Sequence, residues 1–156
     1  MTRQGLRTLG RTQQLVFFDL AGRLSLADLP GYGYASAPKA KVEAWTRLVE
    51  VYLVGRPSLR RALLLIDSRH GLKDIDRRIM AVLDRAAVSY QVVLTKADKI
   101  DADTLARRLA AIEGELQGHS AAHPELISTS ARSGSGIDDL RASLVALSEW
   151  AAEHPA

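Results

Sequence analysis

The 156-residue chain contains no cysteine. That excludes disulfides, thiolate metal sites and cysteine nucleophiles, and it fits a cytoplasmic protein. No apolar run approaches the ~18–20 residues needed to span a bilayer. Met1-Thr2-Arg3-Gln4-Gly5 has no apolar stretch behind its charge, so neither a membrane span nor a signal peptide is expected. There is no Lys/Arg run, no basic-aromatic stripe, no internal repeat and no low-complexity segment. The formal net charge is +3 and the pI about 9.4. Counterion release therefore gives only a mild pull toward nucleic acid, without the clustered charge of a dedicated binder. The remainder is 47% hydrophobic and 25% charged, as expected of one soluble, monomeric domain over residues 1–156 able to bury a real core.

What is present alternates in period. Leu15-Val16-Phe17-Phe18 and Leu24-Ser25-Leu26-Ala27, joined through Ala21-Gly22-Arg23, predict a hairpin with a tight Gly turn. Leu29 to Tyr34 is punctuated by Pro and Gly and reads as a loop. Val42, Trp45, Leu48, Val49 and Tyr52 recur at helical spacing over about 41–54, before Gly55 and Pro57. Ala62 to Ile66 and Tyr90 to Leu94 are unbroken apolar runs of the kind found in parallel strands buried on both faces. Helices are predicted over about 74–86, from a cap at Asp101 or Asp103 to about Leu116, and over about 137–151. A shorter strand is predicted at Leu126 to Thr129, and Gln117 to Pro124 reads as a flexible surface loop. Strand-helix alternation from residue 58 onward implies an α/β fold with a parallel sheet, where ligands bind at the carboxyl ends of the strands.

Four segments sit at such strand ends. Asp28-Leu29-Pro30-Gly31 follows a strand, where a carboxylate can hold Mg²⁺ through water and a glycine amide can approach a γ-phosphate. Thr95-Lys96-Ala97-Asp98 ends a buried strand. A carboxylate there accepts two hydrogen bonds from guanine N1 and its exocyclic amine, a donor pair that adenine lacks, while the lysine stem lies beside the base. Ser128-Thr129-Ser130-Ala131 ends the next strand, with small residues and backbone amides that could face guanine O6. Gly10-Arg11-Thr12-Gln13 precedes the first strand, and a threonine in a mobile loop can ligate Mg²⁺ and sense a γ-phosphate. Alone, three of these segments are weak signals that a turn or a polar loop explains as well, whereas the placement of Thr95-Lys96-Ala97-Asp98 after a buried strand favours base recognition over a mere helix start. Their order and spacing carry the weight.

Together with Phe17-Phe18, Asp28-Leu29-Pro30-Gly31-Tyr32-Gly33-Tyr34-Ala35, Asp67-Ser68-Arg69-His70-Gly71 and Thr95-Lys96-Ala97-Asp98-Lys99, these residues resemble the EngB/YihA family of ribosome-assembly GTPases, of the TRAFAC class. The resemblance runs over nearly the whole chain. It implies a P-loop-NTPase-like three-layer sandwich with a mostly parallel sheet, binding GTP/GDP and Mg²⁺ and acting with rRNA in the large ribosomal subunit, linked to cell division. On the matched positions, Thr12 and Asp28 would serve Mg²⁺, with Thr12, Asp28 and Gly31 at the γ-phosphate. Thr95, Lys96 and Asp98 would hold guanine, Thr95 standing where many GTPases have Asn, and Ser130 and Ala131 would approach O6.

Two departures stand out. Leu9 occupies the place where the family has Pro before Gly10. No Gly-Lys-Ser or Gly-Lys-Thr occurs anywhere, so the first strand, the phosphate-binding loop and the first helix are expected to be missing from an N-terminally truncated G domain. The absent loop would supply backbone amides and a lysine to the phosphates and a hydroxyl to Mg²⁺. Nucleotide binding is therefore expected to be impaired, and the missing strand would lie between those at about 24–28 and 62–66. Tyr32 follows Gly31 where Ras-like proteins place a water-orienting Gln, so hydrolysis is expected to be slow. The rival reading is a nucleotide-free module docking on ribosomal RNA or protein, or a gene fragment. A flavodoxin-like signalling domain with Asp67 as phosphoacceptor is disfavoured, because no neighbouring acidic cluster accompanies it.

Overall fold

A computed structural model describes residues 3–5, 16–29, 51–52, 56 and 58–153, with no side chains given at 3–5 and 150–153. Thr12, Gly31 and most of the predicted helix over 41–54 lie outside the described residues, and of that helix only Val51 and Tyr52 are described, both helical. The chain divides into two compact units, residues 1–45 and 46–156.

The first unit is an antiparallel sheet. Strand β1 is Arg3–Gly5, β2 is Val16–Leu20 and β3 is Leu24–Asp28, in the order β1-β2-β3. The predicted hairpin is β2-β3, in register from Val16 opposite Asp28 to Leu20 opposite Leu24. Its turn carries Ala21 and Gly22 at φ 55° and 70°, and the Asp19 carboxylate accepts from the Gly22 amide at 3.1 Å. Strand β1 was not anticipated, because three residues are too few to show a period.

The second unit holds β4 (Ala62–Asp67), α1 (Asp74–Arg85), β5 (Tyr90–Thr95), a 3₁₀ turn (Ala97–Lys99), α2 (Ala102–Leu116), β6 (Ile127–Ser128) and α3 (Ile137–Glu153). The strands form a parallel sheet in the order β4-β5-β6. Parallel neighbours need crossover connections, which α1 and α2 provide. Helix α1 buries Ile79, Met80, Val82 and Leu83, and α2 buries Ile112 and Leu116, at the spacing of one apolar face. Asp101 caps α2, its carboxylate accepting from the Thr104 amide at 2.7 Å. At the start of α1, Asp76 folds back to accept from the Lys73 amide at 2.7 Å.

One expectation needs correction. Strand β5 is buried on both faces, with Tyr90, Val92, Val93 and Leu94 at 0% exposure. Strand β4 is not: Leu64 and Ile66 are buried, but Leu65 is 61% exposed on the other face. The reason is position, since β5 is flanked on both sides whereas β4 is, among the described residues, an edge strand of its sheet. The segment after α2 is a loop, as expected, and it is tied to the sheet and to α1. The Tyr90 amide donates to the Ala121 carbonyl at 3.0 Å, and Tyr90 pairs with Ala122 as an isolated parallel bridge. His119 Nδ1 lies 2.6 Å from Asp84 Oδ2, and Asp84 Oδ1 accepts from the Ala121 amide at 3.0 Å.

The Tyr90 ring meets His119 edge-on at 6.5 Å, and its fully buried hydroxyl has no hydrogen-bond partner among the described residues. Such a hydroxyl is desolvated without compensation. Tyr90→Phe is therefore expected to leave the fold intact and raise its stability by about 1 kcal/mol, read as a higher urea midpoint at unchanged slope. Asp84→Ala strips the acceptor from two donors and should lower stability by about 1–3 kcal/mol in the same assay.

Candidate functional site

The carboxyl ends of β4, β5 and β6 converge because their register is parallel. Asp67 stands opposite Thr95, and Leu94 opposite Ser128. One residue beyond each strand end the chain must turn, and the turns carry the polar side chains. Thr95 ends β5 and its hydroxyl donates to the Ile66 carbonyl at 3.2 Å, tying β5 to β4. Lys96 then adopts φ 58° and ψ 36°, a left-handed conformation costly for a residue with a Cβ. This reversal starts the 3₁₀ turn, where the Ala97 amide donates to the Thr129 carbonyl at 3.0 Å. Asp98 is thereby delivered toward the end of β6.

There the Ser130 hydroxyl, 1% exposed, donates to Asp98 Oδ1 at 2.7 Å. Lys99 Nζ lies 3.6 Å from Oδ2, and the Asp98 side chain is 19% exposed. The Ser130 bond, with Lys99 adding to it, holds the Asp98 carboxyl below its ordinary range, so it is ionised at neutral pH. An ionised carboxylate offers about four acceptor positions, so with one taken by Ser130 both oxygens can still accept from a planar donor pair.

The loop after β6 is built around Ser130. Its amide donates to the Ser135 carbonyl at 2.9 Å, its carbonyl accepts from Gly134 at 2.9 Å, and its hydroxyl oxygen accepts from the Ser133 amide at 3.2 Å. The Ser130 amide is thus occupied, while no backbone carbonyl accepts from Ala131 among the described residues. Gly136 closes the loop at φ 68°, where a Cβ would sit 1.9 Å from the Ser128 carbonyl oxygen. Only glycine satisfies both constraints.

The Lys96 ammonium is not free. Its Nζ donates to Asp67 Oδ2 at 2.9 Å. Arg69 grips the same carboxylate through Nε at 2.9 Å to Oδ1 and Nη2 at 2.7 Å to Oδ2. The Arg69 hydrogen bonds first, then Lys96, hold Asp67 far below the ordinary carboxylate range. Buried Ser68, at 0% exposure, donates from its hydroxyl to the Lys96 carbonyl at 3.0 Å.

The structure therefore brings together Thr95, Lys96, Asp98, Ser130 and Ala131 in the second unit. Asp28 is an exposed carboxylate at the end of β3 in the first unit, and no cluster of three or more His, Asp or Glu residues that could hold a metal occurs among the described residues. A lone strand-end carboxylate suits Mg²⁺, which keeps most of its waters and takes one or two protein carboxylates beside phosphate oxygens. Asp67, Ser68 and Gly136 went unassigned from sequence. Asp67 and Ser68 lie in the Asp-x-Arg-His-Gly string, and Gly136 in Ser133-Gly134-Ser135-Gly136, but nothing in their spacing shows what they touch.

No family model matches the chain. Curated relatives do. The chain is 53% identical over 144 residues to the probable GTP-binding protein EngB of Bradyrhizobium diazoefficiens, covering 91% of this chain and 66% of the relative. It is 57% identical over 145 residues to that of Rhodospirillum rubrum, covering 90% of this chain and 63% of the relative. It thus spans just under two thirds of the length of these relatives. Among solved structures, the elongation factor SelB of Methanococcus maripaludis superposes with a TM-score of 0.66 at 22% identity, over 90% of this chain and 29% of SelB. A probable GTP-binding protein engB superposes with a TM-score of 0.63 at 18% identity, over 92% and 86% of the two chains. These superpositions establish the P-loop GTPase fold.

Two outcomes test the geometry. Gly136→Ala is expected to cost at least about 2 kcal/mol of stability in urea unfolding, because a backbone carbonyl must move to admit the methyl group. At the left-handed position, Lys96→Gly is expected to be more stable than Lys96→Ala by about 1 kcal/mol; equal stabilities would show that the turn carries no strain.

Proposed function

The chain belongs to the EngB family of GTP-binding proteins, and from that premise we propose that the carboxyl end of its parallel sheet binds the base of GTP and GDP. The observation that carries this reading is the Asp98–Ser130 bond. It fixes an ionised carboxylate at a strand end with acceptor positions spare, the arrangement that selects guanine over adenine. Lys96 flanks the base through its stem and Ala131 offers its amide to O6. Ser130 serves the base indirectly, by orienting Asp98. Thr95 ties the strand end to β4, which keeps the turn in place. Thr12, Asp28 and Gly31 are assigned the Mg²⁺ and γ-phosphate end on the strength of the family resemblance alone.

The sequence holds no Gly-Lys-Ser/Thr, so the phosphates lack the backbone cradle and lysine that dominate affinity in this fold. Binding by these 156 residues alone is accordingly expected to be weak and carried mainly by the base. The wider role we assign is that of the family resemblance: a cytoplasmic factor in assembly of the large ribosomal subunit, linked to cell division, with slow hydrolysis. The net charge of +3 is compatible with an rRNA-rich partner. The second reading is a module that docks on ribosomal RNA or protein without nucleotide, with the net positive charge as its supporting observation.

Titration of the isotope-labelled chain with GDP and with ATP, at millimolar concentrations with Mg²⁺, separates the readings. The expected result is saturable shifts at Lys96, Asp98 and Ala131 with GDP, absent with ATP and lost in Asp98→Ala. Equal responses to the two nucleotides, or binding indifferent to Asp98→Ala, would sink the base-recognition reading. Because Ser130 holds the Asp98 carboxyl below its ordinary range, GDP binding should stay constant from neutral pH down through the ordinary carboxylate range and fall only below it. Ser130→Ala should move that fall to higher pH, as followed by carboxyl carbon NMR.

A further inference from the structure

The Asp67-Ser68-Arg69 turn at the end of β4 lies outside the segments that contact nucleotide in the reading above, yet it meets Lys96 twice. Asp67 Oδ2 accepts from Lys96 Nζ at 2.9 Å, and the Ser68 hydroxyl donates to the Lys96 carbonyl at 3.0 Å. One contact fixes the far end of the side chain and the other its backbone, at a residue in a left-handed conformation. Asp67 is itself immobilised. Its Oδ1 accepts from the Arg69 amide at 3.1 Å and from Arg69 Nε at 2.9 Å, while Oδ2 accepts from Arg69 Nη2 at 2.7 Å. The carboxylate thus has one orientation set by its own turn before Lys96 arrives. We propose that Asp67 is the positioning residue for Lys96, holding its four-carbon stem stretched across the strand ends so that the stem forms a ready-made flank for the guanine ring. The inference rests on the proposed base recognition.

The physical reason is entropic. A free lysine samples many rotamers, and ordering it costs up to about 2 kcal/mol when a ligand arrives. The Lys96 side chain is 54% exposed and would pay that cost at each binding event if nothing anchored its end. The Lys96 side of the pair is 54% exposed, so that bond by itself adds little to fold stability, and the part of the Asp67 effect that depends on Lys96 should be felt in ligand affinity. Asp67 touches no nucleotide atom in this scheme and acts only through Lys96.

A double-mutant cycle on the full chain tests the inference, using GDP as probe. Asp67→Ala is expected to weaken GDP binding about fivefold when Lys96 is present and less than twofold in a Lys96→Met background. Asp67→Asn, which keeps the size of the side chain and loses its charge, should fall between wild type and Asp67→Ala. Both Asp67 variants lose the Arg69 bonds and are expected to unfold earlier, so binding is compared at a temperature where circular dichroism shows every variant folded. A second readout needs no nucleotide: in the unliganded chain, Lys96→Met should raise the titration midpoint of the Asp67 carboxyl, followed by carboxyl carbon NMR. An Asp67 titration unmoved by Lys96→Met overturns the pairing. A loss of affinity from Asp67→Ala that is equal in both lysine backgrounds, or absent from both, overturns the positioning role while leaving base recognition standing. Wild-type chain that shows no guanine-selective binding overturns the base-recognition reading and this inference with it.

Discussion

Strand β5 sits in parallel register between β4 and β6, and that register decides which side chains meet at the carboxyl end of the sheet. With Asp67 opposite Thr95 and Leu94 opposite Ser128, each strand leaves the core at nearly the same level. The residues that follow have to turn there. Because β5 is wholly buried from Tyr90 to Leu94, slipping its register by one residue would exchange its two faces and dismantle the core. The geometry of the candidate site is therefore guarded by the packing of β5 in the core.

Above that platform, close backbone approaches replace bulk. Lys96 turns through a left-handed conformation and Gly136 passes within methyl distance of the Ser128 carbonyl. Such conformations persist where their surroundings over-determine them. Here the Ser68 hydroxyl, the Asp67 carboxylate and the Ala97–Thr129 bond do so. The result is a short arc of polar groups, from Asp67 through Lys96 and Asp98 to Ser130, in which each charged group has an assigned neighbour. Preorganisation of this kind lowers the ordering cost of a ligand.

The two sheets of the chain differ in how their edges are handled. The antiparallel unit closes its hairpin with a short turn stapled by Asp19. The parallel unit ends at β4, where Leu65 is exposed on one face. An apolar edge strand of this sort invites further pairing or coverage. The chain spans just under two thirds of the length of relatives to which it is 53% and 57% identical over the matched segment.

Much of this was legible beforehand. Short β-rich runs around a Gly turn located the hairpin, apolar runs located β4 and β5, and helical spacing located α1, α2 and α3. Thr95-Lys96-Ala97-Asp98 and Ser130-Ala131 could be placed at strand ends because strand boundaries follow from local pattern. What local pattern could not show was any contact between distant segments: Asp67 with Lys96 across 29 positions, Asp98 with Ser130 across 32, or the anchoring of His119 by Asp84 across 35. Nor could it show that Leu65 is exposed, because an apolar residue reads the same whether or not its face is covered. The sequence by itself determined the longer elements, their order and the residue types available at each strand end, since those follow from periodicity and turn chemistry within a few residues. Only the tertiary structure decided which of those residues face one another, because strand register and the turns beyond it arise from packing between segments far apart in the chain.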